Sequence, residues 1–197
     1  MRRFIVVGHR AVTDSSFTLN DLSGSTGRLD VLLRCINSAF FLSHDIRKDV
    51  ELFLILQGEP EPPKCIRFIG SELRYLNPDE RSSGALVRNA LAKKVGSKEV
   101  RATPGIYISK RSFADIINDY ADTQLFYLRE DGEDIRSVDL DGELTFILGD
   151  ERDLTADEER ILERQNAKII SVGQLSLHSD HCIIIVHNEL DRRCYNH

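Results

Sequence analysis

Chemistry in this 197-residue chain concentrates in two places. The first is a charged constellation: Asp21, then Gly27-Arg28-Leu29-Asp30, Arg34, and the run Ser43-His44-Asp45-Ile46-Arg47-Lys48. Arginine presents a planar fork of donors that matches phosphate oxygens two at a time, so Arg28, Arg34 and Arg47 are candidates for holding a nucleic-acid backbone. Arg28 and Asp30 can equally form a local ion pair where a helix begins, with Asp30 complementing the helix dipole. The second place is a series of strand ends: Tyr127-Leu128, then Phe146-Ile147-Leu148-Gly149-Asp150, then Ser171-Val172-Gly173-Gln174-Leu175-Ser176-Leu177. In open α/β sheets, ligands sit beyond the carboxyl ends of strands, and glycine there lets a ligand approach the main chain. Three such ends in order indicate a cofactor site without naming the cofactor. The chain has no GxGxxG fingerprint and no P-loop, which argues against ordinary dinucleotide and nucleoside-triphosphate sites.

A third cluster, His178-x-x-His181-Cys182 with His187, offers the ligand types of a zinc site. No second Cys/His cluster lies at ordinary spacing. Packing residues, with Cys182 as a small buried apolar group, are the plainer reading, and no metal is expected.

The elements that must position these groups follow from periodicity. A first strand runs from Arg3 to Val7, followed by a loop from Gly8 to Gly27 long enough to be functional or disordered. From Arg28, the stripe Leu29, Leu32, Leu33, Ile36, Ala39 and Phe40 predicts a helix. Strands are expected over Val50–Leu56 and Cys65–Ile69. Asn77-Pro78-Asp79-Glu80 opens a helix with Pro78 at its first position, ending near Gly96. An extended piece at Ile106–Ser109 and a helix capped by Ser112 come next. Strands at Gln124–Leu128, Leu144–Leu148 and Ala167–Val172 alternate with an acidic turn over Arg129–Gly142 and a helix opened by the capping box Thr155-Ala156-Asp157-Glu158. Alternating strands and helices predict an α/β fold with a mostly parallel sheet flanked by helices. His178–Arg193 is ambiguous: Cys182-Ile183-Ile184-Ile185-Val186 favours a strand, whereas Ser179 as N-cap and the stripe Ile183, Val186, Leu190 favour a helix. No linker divides the chain, so one domain over 1–197 is expected.

Composition bounds the class. At 41% hydrophobic and 29% charged, without low-complexity tracts, the chain is globular. No run approaches the roughly 20 apolar residues of a membrane span, and the four cysteines, with no export signal, suit a reducing cytoplasm. The net charge of −6 is unevenly spread: residues 1–111 hold 18 Lys/Arg against 12 Asp/Glu, residues 112–197 hold 8 against 20. The first half therefore offers a basic face able to follow a phosphate backbone.

Taken together, several segments resemble one family. They are Gly8-His9-Arg10 after the first strand, Asp21-Leu22 with Gly27-Arg28-Leu29-Asp30, Ser43-His44-Asp45-Ile46-Arg47-Lys48-Asp49, and Phe146–Gly149. Leu175-Ser176-Leu177-His178-Ser179-Asp180-His181-Cys182 and His187-Asn188-Glu189-Leu190-Asp191-Arg192 complete the set. The chain resembles, over nearly its whole length, the archaeal tRNA pseudouridine-54 N1-methyltransferase family of the SPOUT class. That resemblance implies a SPOUT fold with a C-terminal trefoil knot, a helical His178–Arg193, and a homodimer. It implies S-adenosyl-L-methionine (SAM) as methyl donor, contacted by Leu128, Gly149, Val172, Gly173, Gln174, Leu175, Ser176, Leu177 and Cys182. It further implies tRNA as partner rather than DNA or a membrane.

N1 of pseudouridine carries a hydrogen where uridine carries its sugar, so methylation needs alignment with the donor and a route for that proton. Asp30 is expected as the base or hydrogen-bond acceptor, with Asp21 the alternative, and Arg10, Arg28, Arg34 and Arg47 as RNA contacts. Rival readings are pseudouridine methylation in ribosomal RNA, a SAM-binding ribosome assembly factor, an RNA-binding module without cofactor, and a zinc protein.

Overall fold

The computed structural model describes residues 1–194 and contains one sheet of eight strands. In chain order these are β1 (Arg2–Gly8), β2 (Val50–Leu56), β3 (Lys64–Ile69), β4 (Val100–Thr103), β5 (Ile106–Ser109), β6 (Gln124–Asp134), β7 (Leu144–Gly149) and β8 (Lys168–Ser171). Their order across the sheet is β4-β5-β3-β2-β1-β7-β6-β8. The run β2-β1-β7-β6-β8 is parallel, and β3, β5 and β4 continue it antiparallel. The fold is α/β with a mostly parallel sheet, as periodicity predicts.

Central strands covered on both faces are apolar without a break. β1 divides its side chains accordingly: Phe4 and Val6 enter one core, Ile5 and Val7 the other. Helices α1 (Leu29–Phe40), α2 (Glu80–Leu91) and α5 (Ser179–Cys194) cover the first face, and α3 (Phe113–Asp119) with α4 (Ala156–Arg164) the second. Because the strands are parallel, β1, β7, the first run of β6 and β8 all end at the same edge of the sheet. Leu128 and Gly149, with Val172 and Gly173 just past β8, thereby line one crevice.

The last 16 residues of the description are helical, which settles the ambiguity at Cys182–Val186 against strand propensity. The reason is tertiary. Ile183, Val186 and Leu190 are buried in the first core, and the His187 side chain is tied to α1. β6 also continues beyond Leu128, where an acidic turn is expected. Leu128 pairs with Ile170, and after a wrap Glu133 pairs with the same Ile170. Arg193 then donates to the carbonyls of Ile135 (2.9 Å) and Val138 (2.8 Å), fastening that wrap to α5.

Two further expectations shift. The first turn of α2 is capped by Asp79, whose carboxylate accepts from Ser82 N at 2.7 Å, so Pro78 lies outside the helix, and α2 stops at Leu91. β4 is absent from the sequence reading: four exposed or half-exposed residues with a register shift carry almost no alternation.

Candidate active site

The loop after β1 is ordered by bonds within itself and to the main chain after β2. Val12 N donates to Thr26 O (3.1 Å), Thr13 N to Glu59 O (3.1 Å), and the buried Thr13 hydroxyl to Gly58 O (2.8 Å). Gly27 has φ +64°, and a methyl there would overlap the carbonyl of Arg10. Thr26 Oγ1 accepts from Leu29 N at 3.1 Å and satisfies the opening turn of α1. Between them Arg28 adopts φ 68°, ψ 36°, a left-handed conformation that costs a side-chain-bearing residue on the order of 1–2 kcal/mol. The surrounding bonds hold it there, which points the guanidinium out of the helix and into the crevice.

That crevice is a cleft of about 440 Å³ beyond the carboxyl ends of β6, β7 and β8. Of the expected cofactor contacts, Leu128, Gly149, Val172, Gly173, Leu175, Ser176, Leu177 and Cys182 line it, and Gln174 does not. A methyl on Gly149 would overlap the Arg152 carbonyl, so glycine is required where β7 turns into 150–153. The cleft also draws in residues outside the implied contact set: Glu130, Asp150, Glu151, Arg152, Asp153, His178 and Ser179. The Ser179 hydroxyl lies 2.7 Å from Gly149 O and 3.1 Å from Asp150 O, donating between them. It pins the start of α5 to the end of β7. The Asp immediately after Gly149 was the available signal, since a strand end that stops on Gly-Asp presents a carboxylate to whatever sits above it.

Asp30 stands between two sites. Arg28 donates to it through Nε (3.0 Å to Oδ1) and Nη2 (3.2 Å to Oδ2), and Arg34 through Nη1 (2.9 Å to Oδ2). Burial alone pushes the carboxyl up, but the hydrogen bonds and charges of Arg28 and Arg34 outweigh it and hold Asp30 below its ordinary 3.8. A carboxylate has about four lone-pair directions, so Oδ1, with a single donor, retains one for a ligand. On the side away from the cleft, Asp21, Asp30, Arg34, Asn20 and Glu80 line a second pocket of about 290 Å³. Arg28 lines the cleft, Arg34 the second pocket, and Asp30 joins them. Both alternatives for Asp30, ion pair and ligand acceptor, are thus available to the same carboxylate.

The remaining arginines part company. Arg10, with its side chain 60% exposed, reaches Glu151 at 3.9 Å, and Glu151 also accepts from Arg28 at 3.0 Å, so the three form the cleft's outer lip. Arg47 is carried elsewhere: its Nη1 and Nη2 donate to Asp191 on α5 at 3.0 and 2.6 Å, and its side chain is 15% exposed. Arg2 grips the same carboxylate at 2.6 Å. These bonds anchor α5.

His187 serves that anchor too. Its Nε2 lies 3.0 Å from the Ala39 carbonyl, which can only accept, so Nδ1 is left to accept from Arg2 Nη1 at 3.2 Å. Burial, with Arg47 and Arg2 nearby, lowers its pKa to about 3, and the ring is neutral. It is turned away from His178 and His181, whose rings meet edge to face at 5.6 Å. Burial pushes the Cys182 thiol up to about 11, so it packs the cleft wall as a thiol.

Beneath the cleft floor, His9 bridges two acids. Its Nε2 lies 2.9 Å from Glu158 and its Nδ1 3.4 Å from Asp150, while its main-chain N donates to Asp150 at 3.0 Å. Hydrogen bonds to Asp150 and then Glu158 raise His9 to about 9. Glu158, pushed up by burial but pulled down further by His9, Thr155 and Gln57, falls to about 2. A charged imidazolium thus fastens the end of β1 to the floor of the cleft and the first turn of α4.

Comparison with known proteins bears on this site. Residues 1–195 match the sequence family described as "Putative SAM-dependent RNA methyltransferase". A protein of Methanocella arvoryzae named tRNA (pseudouridine(54)-N(1))-methyltransferase is 57% identical over 98% of this chain and 100% of its own length. One of the same name from Methanocaldococcus jannaschii is 42% identical over 98% of each chain. The crystal structure of Archaeoglobus fulgidus Nep1 bound to S-adenosylhomocysteine superposes with a TM-score of 0.69 at 17% identity, covering 98% of this chain and 99% of that one, a likeness of fold. With a match running from residue 1 to residue 195 and relatives this similar over their full length, the chain belongs to the archaeal tRNA (pseudouridine-54 N1)-methyltransferase family of SAM-dependent RNA methyltransferases.

Proposed function

We propose that this protein transfers the methyl group of SAM to N1 of the pseudouridine at position 54 in the T-loop of tRNA, giving 1-methylpseudouridine. The observation that carries the reading is the pair of adjoining sites, the 440 Å³ cleft and the 290 Å³ pocket, joined through Arg28, Asp30 and Arg34. A two-substrate transfer needs two compartments that share a reactive border.

The cleft suits SAM on three counts. Its size lies within the roughly 300–1,000 Å³ of small-molecule sites. Leu128, Leu148, Val172 and Leu177 give it apolar walls, and Gly149 and Gly173 open the main chain to an adenosine. Glu130, Asp150, Glu151 and Asp153 offset a ligand bearing a sulfonium and an ammonium. When bound, SAM supplies a methyl group on positive sulfur, whose departure needs no acid.

The chain's own work is positioning and proton handling. The Asp21/Asp30 pocket takes a base swung out of its stack. Asp30 accepts the N1–H hydrogen bond through the remaining lone pair of Oδ1. Arg28 and Arg34 keep Asp30 ionised, so it polarises N1–H throughout the neutral range. As N1 gains its carbon, the proton passes down that bond and out to solvent at the exposed Asp21 side. Uridine has no hydrogen at N1, so Asp30 would find nothing to bind. Arg10 and Arg28 hold phosphates at the lip, and Arg34 fixes Asp30.

Leu175 (77% exposed), Leu177 (39%) and Ile184 (50%) surround the start of α5 and form an apolar surface that suits a second copy of the chain. We assign the enzyme to the cytoplasm, where tRNA is modified and where its cysteines, none of them disulfide-bonded, stay reduced. Among the described residues no helix is long and apolar enough to cross a membrane.

Choice of RNA is tested by incubating the enzyme with labelled SAM and equal amounts of unmethylated tRNA and small-subunit ribosomal RNA. Label is expected in tRNA; label confined to ribosomal RNA would replace this reading with the ribosomal one.

A further inference from the structure

The uneven charge of the chain has a specific location on its surface. Arg28, Arg34 and Arg47 spend much of their charge on Asp30, Glu151 and Asp191. Six of the cations without a carboxylate within salt-bridge reach, among the described residues, cluster instead along α2 and the strand beside it, whereas others such as Arg152, Arg164 and Lys168 lie elsewhere. Segment 81–101 contains Arg81, Arg88, Lys93, Lys94, Lys98 and Arg101 against a single acid, Glu99. That acid is already taken, because Arg67 donates to it at 2.9 Å. The six positive charges are therefore uncompensated, and all but the half-exposed Arg88 are exposed.

The cations follow one another in space. Arg81 sits in the first turn of α2 and donates to Asn20 at 3.2 Å, at the wall of the Asp21/Asp30 pocket. Arg88 lies seven residues on, two turns along the same side of α2. Lys93 and Lys94 follow the helix end, and β4, which packs against α2, brings Arg101 alongside. At 1.5 Å per helical residue the path from Arg81 to Lys94 is roughly 20 Å. It starts at the base pocket and leads away from the SAM cleft.

We infer that this edge, α2 through β4, is a second docking surface that binds the phosphodiester backbone of the substrate tRNA beyond the methylated loop. This deepens the proposed function and rests on its assignment of an RNA substrate. Exposed, flexible lysines without hydrogen-bonding neighbours suit phosphate tracking and carry no sequence information. The surface sets affinity for a whole tRNA, and the Asp30 pocket sets which base reacts.

The test compares Lys93→Gln/Lys94→Gln/Lys98→Gln with a control set, Arg160→Gln/Arg164→Gln/Lys168→Gln, which removes as many charges from α4 and β8. Full-length tRNA binding is measured from 50 to 300 mM KCl, beside methyl transfer kinetics and SAM affinity. The first variant is expected to raise the tRNA Kd and KM at least about tenfold and to flatten the log–log salt slope by about 2. Its kcat at saturating tRNA and its SAM affinity stay those of the parent, which also shows that it folds. The control set leaves the slope nearly unchanged. Equal tRNA binding by variant and parent, equal weakening by both sets, or no tRNA binding by the parent would each overturn the docking surface. Loss of tRNA binding in the first variant alone, with the parent transferring no methyl to tRNA, would uphold the surface and refute the proposed reaction.

Discussion

Asp30 is held by three arginine donors and yet keeps a lone pair of Oδ1 to spare, and its charge state follows from that arrangement. Asp30→Asn removes the charge and most of the acceptor strength while preserving shape. Single-turnover methyl transfer is expected to fall at least about 100-fold, the low end for a positioned base, with SAM affinity by calorimetry unchanged. Transfer at the parent rate would remove Asp30 from the chemistry and leave Asp21. His9 is the other residue whose proton matters. Folded, it titrates near 9 instead of 6.5, so its contribution is complete below pH 6.5 and is lost as pH rises through 9. Glu158 titrates near 2 instead of 4.5, so its contribution is complete above 4.5 and is lost as pH falls through 2. The pair is therefore at full strength between about 4.5 and 6.5. His9→Ala is expected to cost about 3 kcal/mol at pH 6, as for breaking a buried ion pair, and much less at pH 10. A cost independent of pH in thermal melts would show that the ring acts only by packing.

At the scale of elements, the site depends on where β7 stops and α5 starts. Gly149 is the hinge of that arrangement. Gly149→Ala drives a methyl into the Arg152 carbonyl and moves the 150–153 floor. We expect a loss of about 1–3 kcal/mol in stability, typical of overpacking, together with a clear loss of SAM affinity. Unchanged calorimetric binding would mean that the floor is not part of the cofactor site. These elements differed in how much the sequence disclosed. The central strands were plain because Phe4–Val7 and Leu52–Leu56 are unbroken apolar runs, and α1 because its stripe is complete. α5 was not, because a β-branched run has the same local appearance in a buried strand or a buried helix. What decides it is the packing of Ile183, Val186 and Leu190 and the bond from His187 to Ala39, which join residues far apart in the chain. The shift of the α2 cap to Asp79 shows the same limit at shorter range, since Asn77 and Asp79, two residues apart, compete and the register of the buried face chooses. Of the nine cofactor contacts that the family resemblance implies, eight lie in the wall of the cleft. The pairs of Arg28 with Glu151 and of Arg47 with Asp191 stayed hidden, because those acids lie more than a hundred residues away in sequence.

Over the whole molecule, the acidic second half supplies most of the cleft wall, and in the proposed function the basic first half supplies the RNA side. This separation explains how a protein of net charge −6 can engage a polyanion. The apolar residues around α5 complete the picture if two copies meet there. Ile184→Glu, placed on a half-exposed side chain, is expected to shift the protein from dimer to monomer in light scattering without unfolding it; a parent already monomeric at micromolar concentration would refute the dimer. The central claim, a methyl group placed on N1 of pseudouridine, is tested most directly with two tRNA transcripts that differ only at the T-loop target. One carries uridine there and the other pseudouridine, and each is incubated with labelled SAM before nucleoside mass spectrometry. The account predicts 1-methylpseudouridine in the second and no product in the first. Methylation of the uridine transcript, or a methyl group at any position other than N1, would contradict it.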